Sequence, residues 1–267
     1  MSKLNLLTNL GIGALLFSTV GLFSVTGNNT LRAQDASSNE TIENIAEDET
    51  NLYGQQVTVR GEAESIEPGM SFVIEEEGFL EGDEVLVINT SGMMLTEDSE
   101  ELGIQVTGEL GTLVLADVER EYDLDLDPNL YVDYENKPVI IADSITLSPS
   151  LENLSESPDN FYGQEVAIEG KIGEMKGDMA FTINDDQWIG GDDVLVINTT
   201  GEPIPTEDES VVVTGMVRPF IKSEFERDYD LTWDLNLQEE IEAEYTEKPV
   251  VVVDSIYTSA KDEGVFE

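Results

Sequence analysis

The chain repeats itself, and that restricts its fold more than any other feature. The stretch "TIENIAEDETNLYGQQVTVRGEAESI" (41–66) returns as "SLENLSESPDNFYGQEVAIEGKIGEM" (150–175), and "GDEVLVINTSG" (82–92) returns as "GDDVLVINTTG" (191–201), both at an offset of 109. "VTGEL" (106–110) returns as "VTGMV" (213–217), "EREYDLDLD" (119–127) as "ERDYDLTWD" (226–234), and "KPVIIADSI" (137–145) as "KPVVVVDSI" (248–256). The offset changes only between these blocks, where loops belong. A period this long marks a duplicated folding unit, and it predicts two tandem domains at 41–148 and 150–258.

Within each unit, period-two alternation of β-branched residues predicts strands. In the first copy these are "QVTVRGEAESI", "MSFVIEE" (70–76), "DEVLVINT" (83–90), "GIQVTGELGTLVL" (103–115) and "PVIIADSITL" (138–147). Val57, Val59, Gly61, Ala63 and Ser65 share one face of the first, and Ile66 falls out of phase, which predicts a bulge. Two of the strands carry V-x-V-x-G or V-x-G patterns, with Gly61 and Gly108 in the first copy and Gly170 and Gly215 in the second. Glycine inside a strand marks a bend or a close backbone approach, so these four are expected to sit where strands curl. A short turn of helix near "TIENIA" opens the unit, and the acidic stretch between its fourth and fifth strands is the other helical segment.

Five short bent strands suggest a small closed barrel. The pattern resembles the OB-fold, and in particular the secreted bacterial tandem OB-type domains that open with a short helix, an aromatic-Gly-polar turn and V-x-V-x-G. The matching residues are Tyr53-Gly54-Gln55, Val57, Val59 and Gly61, and again Tyr162-Gly163-Gln164, Val166, Ile168 and Gly170. The resemblance implies a mainly β protein of two tandem OB-like five-stranded barrels, each with a short acidic helical insertion between strands four and five. That placement departs from the usual OB arrangement, whose helix lies between strands three and four.

Charge bounds the partners. There are 12 Lys+Arg against 58 Asp+Glu, a net charge of -46, which repels nucleic acid and anionic membrane surfaces. Basic proteins or cations are the expected partners, although such acidity also serves as a surface adaptation to high salt. The second strands carry Phe72 and Phe181 without interleaved Lys or Arg, so the aromatic-basic platform of single-strand binders is missing. Nucleic acid is therefore not an expected partner. The chain has no cysteine and no histidine, which rules out disulfides, Cys/His zinc sites and histidine-based triads.

Residues 1–33 read as an export signal: Lys3, then the uncharged apolar run "LGIGALLFSTVGLFSV" (10–25), then a cleavage site after Ala33. The expected location is periplasmic or extracellular, with an uncleaved N-terminal anchor as the alternative, and no later stretch is apolar enough to cross a membrane. A polar tether (34–40) follows the signal and a flexible tail (259–267) closes the chain.

Asp123, Asp125 and Asp127 alternate as calcium-loop ligands do, and they are the metal candidates, for calcium or another divalent cation. An EF-hand loop begun at Asp123 would place Pro128 where glycine is needed and Tyr134 where a bidentate Glu belongs. In the second copy Thr232 replaces Asp125. A lid accounts for more of the pattern. In that reading Asp127 caps a second short helix with Pro128 in its first turn, leucines cover an end of the barrel, and carboxylates face water. Arg120 and Arg227, equivalent in the two copies, would hold the lid through Glu119 or Asp123 and Glu226 or Asp230. Asn89-Thr90-Ser91 and Asn198-Thr199-Thr200 match glycosylation sequons, and their place after a strand makes them turn formers first. The functional expectation is a non-catalytic exported binding or scaffolding module with no cofactor, the alternatives being a calcium-dependent structural protein and a carboxylate-based hydrolase.

Overall fold

Among the described residues, strands built largely on valines and isoleucines spaced by two pair, with a two-residue opening strand, into a sheet of eleven, and the protein is mainly β. The computed structural model describes residues 37–47, 49–76, 83–95, 103–185, 193–229, 235–246 and 248–260. The stretch expected to be an export signal, most of the expected tether and the tail from 261 lie outside the described residues. Among the described residues, no helix is long and apolar enough to cross a membrane.

The first copy runs β1 (Ser38–Asn39), α1 (Ile42–Glu47), α2 (Glu49–Leu52), β2 (Gln56–Glu67), β3 (Ser71–Glu75), β4 (Glu84–Asn89), β5 (Ile104–Thr112), α3 (Leu115–Tyr122) and β6 (Pro138–Leu147). The second runs α4 (Leu151–Glu156), a 3-10 turn at Pro158–Asn160, β7 (Glu165–Met175), β8 (Ala180–Asn184), β9 (Val194–Ile197), β10 (Ser210–Pro219), α5 (Lys222–Asp228), α6 (Leu235–Tyr245) and β11 (Pro249–Thr258). In the first copy β2 pairs antiparallel with β3, β3 with β4, and β5 with both β2 and β6, while β4 and β6 are parallel. Followed strand to strand, the pairing returns to β2. The second copy repeats the scheme with β7 through β11.

The glycines make this path passable. β2 pairs with β5 from Gln56 to Gly61 and with β3 from Glu62 onward, so the strand changes partner at Gly61. A Cβ there would lie 2.1 Å from the Glu75 carbonyl oxygen. At Gly108 the register against β6 slips by one residue, and a Cβ would lie 2.1 Å from the Ile141 carbonyl oxygen. Gly170 and Gly215 meet the same obstacle from Asn184 and Val252. The out-of-phase Ile66 coincides with a second register shift, between Ser65 and Glu67. The Tyr-Gly-Gln turn anchors the strand start: Gly54 N–H donates to Leu110 O (2.8 Å) and Leu110 N–H returns to Gln55 O (3.0 Å).

Each copy has two apolar cores, one on either face of its parallel strand pair. Val85 and Val87 of β4 and Ile140 of β6 point inward to join Val57, Val59, Phe72, Ile104 and Val106. The alternate residues Leu86, Ile88 and Val139 point outward and are just as buried, under Leu113, Leu115, Val118, Leu126 and Tyr131. β9 and β11 divide in the same way between two clusters. Parallel strands buried on both faces read as unbroken apolar runs, which is why "EVLVIN" and "PVVVV" do not alternate with polar residues. The insertion therefore packs on the outer face of the β4–β6 pair, correcting the expectation that it covers an end of the barrel.

The copies belong to one compact unit spanning 36–267. The outward residues Thr58, Gln105 and Thr107 of β2 and β5 are buried, as are Ala167, Val212 and Thr214 of β7 and β10. These two faces meet. Arg60 pairs with Glu169, Tyr257 bonds Gln105, and Ser148 Oγ donates to Ala167 O (2.8 Å). The opening edge of β7 is capped in parallel by the end of β6 (Leu147 opposite Val166), and that of β2 by β1 (Ser38 opposite Val57). Asn39 Nδ2 then donates to Thr258 O at the end of β11 (2.7 Å), tying the N-terminal strand to the last one.

Candidate docking surface

The two inter-copy faces being covered, the acidic insertions are the distinctive free surfaces. In the first copy α3 ends at Asp123, a left-handed residue (φ 55°) whose N–H donates to Glu119 O. The chain then turns rather than entering a second helix, which corrects the capped-helix expectation. Asp127 Oδ1 accepts from the N–H and the Nδ2 of Asn129 (3.0 and 2.7 Å), closing a turn locally in place of capping a helix. Successive four-residue turns, each closed by a bond from residue i+3 to residue i, follow through Lys137, with Asn136 left-handed (φ 65°). The second copy does form the helix, α6, although Asp230 and Asp234 lie outside the described residues.

Tyr131 pins the first insertion. Its ring is fully buried, and its hydroxyl bonds Ser71 Oγ (2.7 Å) and Glu67 Oε2 (3.0 Å). Burial, reinforced by the Glu67 carboxylate and offset in part by Ser71, pushes this hydroxyl up to about 12. With Tyr131 turned inward, its neighbours face water: Leu130 is 42% and Val132 68% exposed. Asp125, Asp127, Asp133 and Glu135 around them are exposed as well. Exposed apolar side chains thus stand among exposed carboxylates close to them in sequence. In α6 Ile241 and Tyr245 are buried, as Tyr131 is in the first insertion.

The second insertion is held by different chemistry. Lys176, at the position Glu67 occupies in the first copy, is only 5% exposed and pairs with Glu240 (2.7 Å), Glu174 (3.0 Å) and Glu244 (3.8 Å). Burial opposes its charge, but the hydrogen bonds to Glu240 and Glu174 outweigh burial and raise its pKa above the ordinary lysine value. Arg218 reaches Asp228 (3.0 Å), Glu224 (3.3 Å) and the Tyr229 hydroxyl (3.2 Å), and its guanidinium lies 5.0 Å from the centre of the Phe225 ring.

Arg120 and Arg227 were expected to hold the insertion through Glu119 or Asp123 and Glu226 or Asp230; Asp230 lies outside the described residues. Arg120 pairs with Asp117 (2.7 Å), one turn back along α3, and Arg227 with its neighbour Asp228 (2.8 Å); both arginines project into solvent. Helical spacing aims each along its own helix, and holding the insertion falls to Arg218 and Lys176. Neither was singled out in the sequence, although both stand where the copies differ, opposite Gly111 and Glu67. Asp123 caps α3, Asp125 is exposed and Asp127 serves its turn. Among the described residues, no group of three or more acidic side chains is arranged to hold a metal ion. Asn89 and Asn198 act as turn formers: each Oδ1 accepts from the residue two ahead, and each Nδ2 donates to a carbonyl four ahead.

No family model matches the chain, and no curated protein matches it. Among solved structures the chain is similar to an OBody bound to hen egg-white lysozyme, at 18% identity over 37% of this chain and 84% of that one, with a TM-score of 0.24. It is also similar to a structure described as structural mimicry for functional antagonism, at 11% identity over 77% of this chain and 92% of that one, with a TM-score of 0.26.

Proposed function

We propose that this protein is a non-catalytic binding or scaffolding module, exported to the periplasm or the cell exterior. In this reading it consists of two OB-like five-stranded barrels, and the acidic insertion of the first docks a basic protein. The cyclic strand pairing, with its one parallel pair and its glycine-bent first strand, supports the barrel reading. The leader at 1–33 supports export. The observation that carries the docking site is the exposure of Leu130 and Val132 among the exposed carboxylates of the same segment. A partner with lysine or arginine around a small apolar anchor would match it in both charge and surface.

Two further points narrow the reading. The β2–β5 and β7–β10 faces cover each other, so the duplication contributes rigidity and does not display two copies of that face. OB barrels that hold oligonucleotides use the face of strands two and three with the flanking loops; here the outer side of the third strand, β4, lies under the chain's own insertion. With 58 acidic residues as well, nucleic acid is outside this reading, and we assign the protein no reaction.

The test uses a synthetic peptide of lysines interrupted by leucines, titrated by calorimetry against the full chain at low and high salt. The Val132→Asp variant is expected to weaken binding about tenfold, roughly the worth of one buried apolar anchor. Wild type and variant binding equally well would remove the site.

A further inference from the structure

The copies differ at a pair of positions that meet across the glycine bulge. In the first copy the bulge at Gly108 leaves Asp143 as the extra residue of β6, because Thr107 faces Ser144 and Gly108 faces Ala142. Gly108 has no side chain, so residues of the strands on either side of it can touch. Gln56 of β2 does so, donating from Nε2 to Asp143 Oδ2 at 2.6 Å.

The second copy builds the same bulge. Thr214 faces Ser255 and Gly215 faces Val253, which leaves Asp254 as the extra residue of β11. Across Gly215, the residue in the place of Gln56 is Glu165. An amide that donates has been replaced by a carboxylate that only accepts. The bond of the first copy can be made here only if one of the two acids carries a proton. We propose that Glu165 and Asp254 share one proton across the Gly215 bulge, the hydroxyl of one carboxyl donating to the carboxylate of the other, so that the second copy is held together more firmly in acid than at neutral pH.

Among the described residues, the cations along the neighbouring strands are engaged elsewhere. Met216 of β10 lies beside Glu165 in the ladder. Arg218, further along β10, is engaged by Asp228 and Glu224. Glu169, further along β7, is paired with Arg60. Both carboxylates reach the surface; their partial desolvation against the bulge, then for Glu165 the charge of Asp254, raises each above its ordinary value. The sign follows from linkage. In the pH interval above the unfolded values, the folded state binds more protons than the unfolded one, so stability falls as pH rises through the folded values.

The experiment is thermal unfolding of the full chain from pH 4.5 to 7.5 at fixed ionic strength, with Glu165→Gln and Gln56→Glu in parallel. Glu165→Gln rebuilds the bond of the first copy without needing a proton. It should unfold about 2 °C above wild type at pH 7.5, and the gap should close towards pH 4.5. Gln56→Glu should place the same pH dependence in the first copy. Taking differences between variants removes the general relief of repulsion that acid brings to so anionic a chain. A constant gap at every pH would overturn the proposal. So would an ordinary carboxylate midpoint for Glu165 in a side-chain NMR titration, or closure of the pH 7.5 gap by millimolar calcium, which would make the pair a cation site.

Discussion

Arg60 and Glu169 occupy the same position of the duplicated unit and bind each other, Nη2 to Oε1 at 2.9 Å, with the arginine side chain 8% and the glutamate side chain 20% exposed. The two copies meet face to face about this pair. One substitution at a duplicated position converts a like pair into an opposite one, and that divergence is the charge complementarity of the interface. Arg60 also donates from Nη1 to Asn39 Oδ1 (3.3 Å), bringing the N-terminal strand into the same network.

Arg60→Ala is expected to cost about 2–4 kcal/mol in urea unfolding, because it leaves Glu169 facing a low-dielectric seam without its partner. A double-mutant cycle with Glu169→Gln should give a coupling of about 1 kcal/mol or more. Independent effects in the cycle would show that the pair is not what joins the copies.

Gly108→Ala should cost more than about 2 kcal/mol, since its Cβ would stand 2.1 Å from a backbone oxygen that has no rotamer with which to move aside. Gly111→Ala, three residues along the same strand, meets nothing within 4 Å and should stay within about 0.5 kcal/mol of wild type. Chemical denaturation of the two variants side by side tests the close approach, because composition and strand are held constant between them.

Tyr131→Phe removes the hydroxyl shared by Ser71 and Glu67 and should cost about 1–2 kcal/mol. In the folded state the hydroxyl is held at about 12, above its ordinary 10.0, so the fold binds this proton more tightly than the unfolded chain does. The stabilisation is complete below pH 10 and is lost as pH rises through about 12. A tyrosinate absorbance titration of wild type against the variant should show one late-titrating group missing.

Lys176→Glu installs the residue that the first copy carries at this position, and it should fail in the second. A fourth carboxylate would join Glu174, Glu240 and Glu244 with no cation among them. The melting temperature should fall by about 5 °C or more, and hydrogen exchange should quicken first in α6. Unchanged exchange there would mean that the apolar contacts of Ile241 and Tyr245 hold the helix unaided.

The strands were legible because alternation is a local property. Val57, Val59 and Ala63 declare their inward face, and Gly61 and Gly108 mark where the backbone must approach another backbone. The outer face of β4 was not legible in the same way: Leu86 and Ile88 are as apolar as Val85 and Val87, and a short apolar run does not say what covers it. The turn at Asp127 looks like a helix cap in the sequence because a side-chain acceptor serves either purpose, and the choice depends on how Tyr131 is held by Ser71 and Glu67, far away in sequence. Arg120 and Arg227 drew notice by their rarity, whereas Arg218 and Lys176 hold the second insertion because of where the β-sheet places them.

The sequence by itself determined the duplication, the strand positions, the glycine bends and the acidity, all of which depend on neighbours along the chain or on composition alone. The tertiary structure decided the rest: that Arg60 meets Glu169, that the insertions cover the parallel strands, and that Leu130 and Val132 are left in water. Each of these is a contact between residues far apart in the chain, and such contacts are chosen by which surfaces remain apolar or unpaired once the local elements have formed.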